Sequence, residues 1–302
     1  MSEAARTWAG RLGPVGLWSM DLERLSAPAA RDLARAIESL GFRALWIQES
    51  LGSKEIFAHA SLLLGATDRL VVATGIANIW ARDPVAMANG ARTLVDAYPG
   101  RFLLGLGVSH APVVKTRGQH DYARPFDYMR RYLDAMDAAP YVGPKVEVPR
   151  ALAALGPRML RLAAERALGA QPYFVPVEHT TVARKELGDG PLLAVEQAAV
   201  LIDDPAAARQ AARRHMKRYL DLENYTNNLR RLGWSDEDLA KGGSDRLVDA
   251  IVAWGETSAV RARVEEHQRR GADHVCLQML RADPATPPSL PDLETIARTF
   301  GL

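Results

Sequence analysis

Eight short apolar runs punctuate the chain: Val15–Trp18, Ala44–Ile47, Val71–Gly75, Phe102–Leu106, Ala151–Leu155, Tyr173–Val177, Leu192–Ile202 and His274–Met279. Most are near-continuous rather than alternating, the pattern of parallel strands buried on both faces. Amphipathic stretches with end signals lie between them. Ser26 precedes a helical pattern that runs to Leu40 and stops at Gly41. Asp83-Pro84 opens a helix through Tyr98, which Pro99-Gly100 ends. Gly156-Pro157 opens another through Leu168 with Gly169 as its stop, and Thr257 starts one that ends at Gly271. Strand followed by helix, eight times over, predicts an α/β fold, a single (β/α)8 TIM barrel.

Two connections are too long for a plain barrel: His110–Pro149 after the fourth strand and Asp203–Glu256 after the seventh. The second has helical patterns over Pro205–Leu222, Tyr225–Leu232 and Ser244–Trp254. Both insertions follow strand ends and so overhang the C-terminal face, where barrels keep their active sites. One domain over 1–302, with a helical insertion at about 203–256, is the expectation.

Composition narrows the function. With 38 basic and 36 acidic residues among 302, the net charge of +2 gives no electrostatic footprint for nucleic acid. The single cysteine, Cys276, excludes an internal disulfide or thiolate cluster, and its apolar surroundings in sequence predict burial. No run reaches the length of a membrane span and the start lacks an apolar signal region, so a cytoplasmic protein without a membrane partner is expected. His59, His120, His179, His215, His267 and His274 show no metal-ligand spacing, and no metal is expected. There is no Gly-x-Ser-x-Gly elbow, and no lysine falls inside a strand run. With no evident nucleophile, a bound cofactor is expected to carry the chemistry while the protein orients it.

Residues just past each strand are the candidates for that work. They are Gln48-Glu49-Ser50 after the second strand, Ala77–Trp80 after the third, Gly107–His110 after the fourth and Gly156–Met159 after the fifth. Glu49 and His110 are the catalytic candidates. The alternatives are a capping or ion-pairing role for Glu49 and a satisfied loop histidine at His110. At Gly156-Pro157-Arg158-Met159 the physical argument is firmer. Glycine permits close approach, proline suits the first helical position, and the amides of Arg158 and Met159 at the positive end of a helix form an anion site. A helix start without a ligand is the alternative. Gly105-x-Gly107 lacks the third glycine of a dinucleotide fingerprint, and is read as close packing where the barrel mouth meets a flat ligand.

Several stretches, taken in order and spacing, resemble the luciferase-like monooxygenase superfamily on its deazaflavin (coenzyme F420) branch. They are Ala44-Leu-Trp-Ile-Gln-Glu49, Thr74-Gly-Ile-Ala-Asn78, Arg82-Asp-Pro84, Pro99-Gly-Arg-Phe102, Leu104-Gly-Leu-Gly-Val-Ser-His110, Ala153-Ala-Leu-Gly-Pro157 and Gly271-Ala-Asp-His-Val275. The resemblance they carry runs over nearly the whole chain. The resemblance implies an elaborated barrel, commonly a homodimer, that binds F420 or FMN at its C-terminal face. It places Glu49 and Ser50 near the ring and His110 facing ring or substrate. The phosphate falls on Gly156, Pro157, Arg158 and Met159. It also implies a bulge in the third strand, Thr74, Gly75, Ile76 and Asn78, with a non-prolyl cis peptide at Gly75–Ile76 behind the ring, and it places Gly107 among the cofactor-binding residues.

Ser50 departs from the His or Cys that related dehydrogenases often carry, which leaves His110 as proton donor or acceptor. Trp18, Trp80 and Tyr122 are candidates to line an apolar pocket. The function implied is F420-dependent hydride transfer to or from a small organic substrate. The alternatives are an FMN-dependent monooxygenase using O2 and a non-catalytic flavin-binding or scaffold paralogue.

Overall fold

The computed structural model describes residues 1–302 apart from 20, 119–121 and 284–288, so His120 lies outside the described residues. Eight parallel strands close into a barrel: β1 (Val15–Ser19), β2 (Ala44–Ile47), β3 (Val71–Thr74), β4 (Phe102–Gly107), β5 (Arg150–Leu152), β6 (Gly169–Ala170), β7 (Leu192–Val200) and β8 (His274–Met279). They pair in chain order. The circle closes through β7 and β8, where Glu196 stands opposite Cys276, and through β8 and β1, where Val275 stands opposite Val15.

The near-continuous apolar runs are explained by this closure, because both faces of each strand are buried. Trp46, Ala73, Leu103, Ala194 and Cys276 fill the barrel interior. Their strand neighbours Leu45, Val72, Leu104, Val195 and Leu277 face the surrounding helices. Burial also pushes the Cys276 thiol pKa well up, so this cysteine is packing rather than nucleophile. The helix signals act as their chemistry dictates. Ser26 Oγ accepts from the Ala29 amide, and Asp83 accepts from the amides of Val85 and Ala86. Gly41 takes φ +94° just past its helix.

Three element assignments differ from expectation. The sixth strand is the two residues Gly169–Ala170, not Tyr173–Val177. Gly169 therefore does not stop the preceding helix, which ends at Arg166. A Cβ on Gly169 would stand 1.8 Å from the Leu192 carbonyl oxygen, so the residue is demanded by close strand packing. Phe174 is buried against the inserted helices and Val175 in the main core, so both are apolar, a pattern that a short run shares with a strand. The helix expected to reach Trp254 stops at Ile251, and Val252–Trp254 pairs instead with the end of β7.

The insertion after β7 holds the helices Pro205–Leu220, Glu223–Arg231, Asp236–Leu239 and Asp245–Ile251. Ala212, Met216, Leu229 and Val248 from these helices pack with Phe174 and Val200 in a second core that roofs one side of the mouth. The insertion after β4 contributes the helices Ala111–Lys115 and Pro125–Asp137. Among the described residues no helix is long and apolar enough to cross a membrane, and no group of side chains could hold a metal ion.

Candidate active site

The wall of the mouth between β2 and β4 is shaped by three glycines. β3 ends at Thr74, the Gly75–Ile76 peptide is cis, and Ala77–Asn78 then resumes pairing against Leu106 and Gly107. A Cβ on Gly75 would stand 2.3 Å from Trp18 Cη2, one on Gly105 1.8 Å from the Thr74 carbonyl oxygen, and one on Gly107 2.5 Å from Ile76 Cδ1. At Gly105 the obstacle is backbone, and at Gly75 and Gly107 it is a side chain that would have to move for the bulge to sit as it does. Thr74 belongs to that framework. Its buried hydroxyl donates to the Gly105 carbonyl and accepts from the Gly105 amide, both at 2.8 Å. Ile76 remains half-buried.

Glu49 is fully engaged. Its carboxylate takes Arg82 Nη2 at 2.5 Å and Nη1 at 3.0 Å, and accepts the Asn78 N–H at 2.8 Å. Asn78 Oδ1 accepts the Trp80 N–H at 3.0 Å. Ser50 turns to Glu23, to which its hydroxyl donates at 3.2 Å. Glu49 and Ser50 therefore buttress the bulge and the loop below it.

Across the mouth His110 stands at the start of the helix Ala111–Lys115, its ring 4.9 Å from that of Tyr225. Burial pushes its pKa down to about 4, so the imidazole is neutral at physiological pH. Its Nδ1 is buried without a partner. Beside it Ser109 takes φ +55°, and its carbonyl accepts from Tyr122 Oη at 2.7 Å and Asn224 Nδ2 at 3.1 Å. This bond joins the two insertions over the mouth. Trp80 stacks 3.9 Å from Tyr128 and Trp18 lies 4.8 Å from Tyr173. Tyr173 Oη bonds to Tyr219 at 2.6 Å and donates to Gln278 at 2.7 Å. Deeper in, Trp18 Nε1, both amide ends of Gln171 and Glu196 Oε1 are buried without partners among the described residues. Such orphaned groups are costly unless a ligand or ordered water meets them.

The third component is the start of the helix Pro157–Arg166. Gly156 is its N-cap and offers no side chain, and no other side chain caps it. Met159 does not provide the free amide expected of it, since it donates to the Gly156 carbonyl at 3.1 Å. The Arg158 amide is left as the outward donor. The Arg158 guanidinium stacks 4.1 Å over Phe126 instead of folding over the turn. The cation that does approach is Arg231, whose Nη2 would lie 3.4 Å from a Cβ on Gly156.

The fold thus joins Gly75, Ile76, Asn78 and Gly107 in one wall, with Glu49 behind it. His110 stands in the mouth, and Gly156–Met159 forms a separate turn at the end of β5. Sequence reading missed Tyr173, Tyr219, Tyr225, Asn228 and Arg231. They come from β6 onward and from the inserted helices, where no motif marks them, and only the long helical connection hinted that its residues reach the mouth.

Residues 14–274 match the luciferase-like monooxygenase family. An uncharacterized protein of Mycobacterium tuberculosis is 34% identical over 109 residues, 36% of this chain and 32% of that protein, so the match spans about a third of that relative's length. A second Mycobacterium tuberculosis protein, provisionally named a coenzyme F420-dependent oxidoreductase, is 24% identical over 80% of this chain and 87% of its own. Two solved structures share the fold. An F420-dependent secondary alcohol dehydrogenase with an F420–acetone adduct has TM-score 0.74 and 16% identity, over 95% of this chain and 97% of that one. The FMN-bound oxygenating constituent of 3,6-diketocamphane monooxygenase from Pseudomonas putida has TM-score 0.66 and 17% identity, again over 95% and 97%.

Proposed function

The chain belongs to the luciferase-like monooxygenase family, and on that premise we propose that it is an F420-dependent oxidoreductase acting on a small organic substrate. One observation carries the reading: a glycine-shaped wall at Gly75, Gly105 and Gly107 shares a barrel mouth with an uncapped helix start at Gly156. The first suits a planar heterocycle that must approach backbone, the second a phosphate. The long match to the provisionally named F420-dependent relative supports the deazaflavin over other flavins.

When bound, the cofactor would supply the hydride donor or acceptor. The chain's own residues would do the rest. Ile76 and Gly107 would form the surface against the ring. Glu49 would hold the bulge in shape through Arg82 and Asn78 rather than react, which makes it a positioning residue. His110, neutral and with a free Nδ1, would accept or donate the proton that accompanies hydride transfer at the substrate. Tyr225, Tyr173 and the bridge between the insertions would exclude water from that face. We further propose a homodimer, which light scattering would test.

Titration of the purified protein with F420 and with FMN, followed by fluorescence quenching, tests the reading. F420 is expected to bind, and a panel of enones, carbonyls and alcohols then identifies the substrate by oxidation or reduction of the cofactor. Tight FMN binding without any response to F420 would replace the proposal with a flavin monooxygenase, the reading that the FMN-bound neighbour favours. Binding of neither would favour a scaffold.

A further inference from the structure

We propose that Arg231 and Asn228, on the inserted helix Glu223–Arg231, form with the Gly156–Arg158 turn a two-sided clamp for the phosphate of a flavin-type cofactor. The inference deepens the functional reading above and rests on it for the identity of the ligand, though not for its charge.

Three observations converge. Arg231 has no ion-pair partner among the described residues, and burial alone pushes its pKa down. Its guanidinium nevertheless sits against Gly156, at the positive end of a helix with no side-chain cap. A cation and a helix N-terminus facing each other repel, and an anion between them reverses both terms. Asn228, 2% exposed, accepts from Arg231 Nη2 at 3.2 Å and leaves its own Nδ2 buried without a partner. The donors around the turn therefore outnumber the acceptors, and the missing acceptor is an anion with several oxygens. Since Arg231 arrives on the insertion, binding would also hold the insertion down over the mouth.

The test compares phosphorylated and phosphate-free ligands in Arg231→Ala and Arg231→Lys, with thermal unfolding to confirm that each variant is folded. F420 is measured against its phosphate-free deazaflavin core, and FMN against riboflavin, a pair that differs by the phosphate alone. For Arg231→Ala, affinity for the phosphorylated member should fall by roughly 10- to 100-fold, while that for the phosphate-free member stays within about twofold. Arg231→Lys should restore part of the loss, because it keeps the charge but not the fork. Equal losses for both members, or no loss for the phosphorylated one, would overturn the clamp. If neither deazaflavin binds, the functional reading fails separately. FMN against riboflavin then decides the clamp alone: a wild-type preference for FMN that Arg231→Ala abolishes supports it, and no preference, or one that survives, overturns it.

Discussion

Glu49 holds Arg82 by both carboxylate oxygens while one of those oxygens also fixes the Asn78 amide in the bulge. The pair is well shielded, with side-chain exposures of 13% for Arg82 and 7% for Glu49. Without Glu49, Arg82 keeps only the half-exposed Glu55, 3.1 Å from its Nη2, and the Asn78 amide loses its charged acceptor, so much of the cost of breaking a shielded pair remains. Glu49→Gln should therefore destabilise the fold by about 2–4 kcal/mol, and should weaken cofactor binding as the bulge loosens. Asp32→Asn breaks an exposed pair with Arg35 and should change stability by less than about 1 kcal/mol. Urea denaturation of both variants makes the comparison, and equal stabilities would reject the framework role of Glu49.

The two glycines of β4 should respond differently to a methyl group. At Gly105 the clash is with backbone, the Thr74 carbonyl oxygen at 1.8 Å, and nothing flexible can yield. At Gly107 it is with Ile76 Cδ1 at 2.5 Å, the tip of a side chain that can rotate. Gly105→Ala is expected to yield little soluble protein. Gly107→Ala should fold with a stability loss of about 1–3 kcal/mol from overpacking, and bind the cofactor at least several-fold more weakly because Ile76 is displaced into the mouth. Soluble expression, thermal unfolding and a binding titration separate the two outcomes.

The barrel itself was legible because parallel closure writes itself as continuous apolar runs, and because Ser26, Asp83 and Gly41 are local signals with local causes. The bulge was legible through resemblance, since Gly75, Gly105 and Gly107 lie within two short stretches. The strand at Gly169–Ala170 was not, because two residues carry no period and the buried Phe174 nearby imitates one. Nor was the partnership of Gly156 with Arg231. Seventy-five positions separate them, and an arginine in an arginine-rich chain announces nothing until the inserted helix places it.

Burial of the histidines sets an acid limit. His59, His110, His179 and His274 are pushed down to about 4, and His215 and His267 to about 3, in each case chiefly by desolvation. A lowered folded-state pKa means that the unfolded chain binds the proton first. The stability these groups confer is complete above about pH 6.5 and is lost as pH falls toward 4, at up to about 1.4 kcal/mol per pH unit for each histidine. The urea midpoint should drop steeply between pH 7 and 5.5. An unchanged midpoint over that interval would show that the imidazoles are already hydrated in the folded state. For His110 in particular, no titration of its ring resonance is expected between pH 6 and 8.

Glu196 opposes that trend. It lies inside the barrel on β7, 2% exposed, with Oε2 accepting the Phe174 amide at 3.0 Å and Oε1 unpartnered. Desolvation raises its pKa to about 8, against an ordinary carboxyl near 4.5. The folded protein then keeps a proton that the unfolded chain releases above about pH 4.5, so the contribution of this group declines as pH rises from 4.5 toward 8. Glu196→Gln keeps the shape and an acceptor for the Phe174 amide, and removes the titration. It should leave stability nearly unchanged at pH 5 and raise it by about 1–3 kcal/mol at pH 7.5. Denaturation at the two pH values measures the difference, and a variant less stable than the parent at pH 7.5 would mean that the carboxylate is ionised and held by a partner in the native barrel.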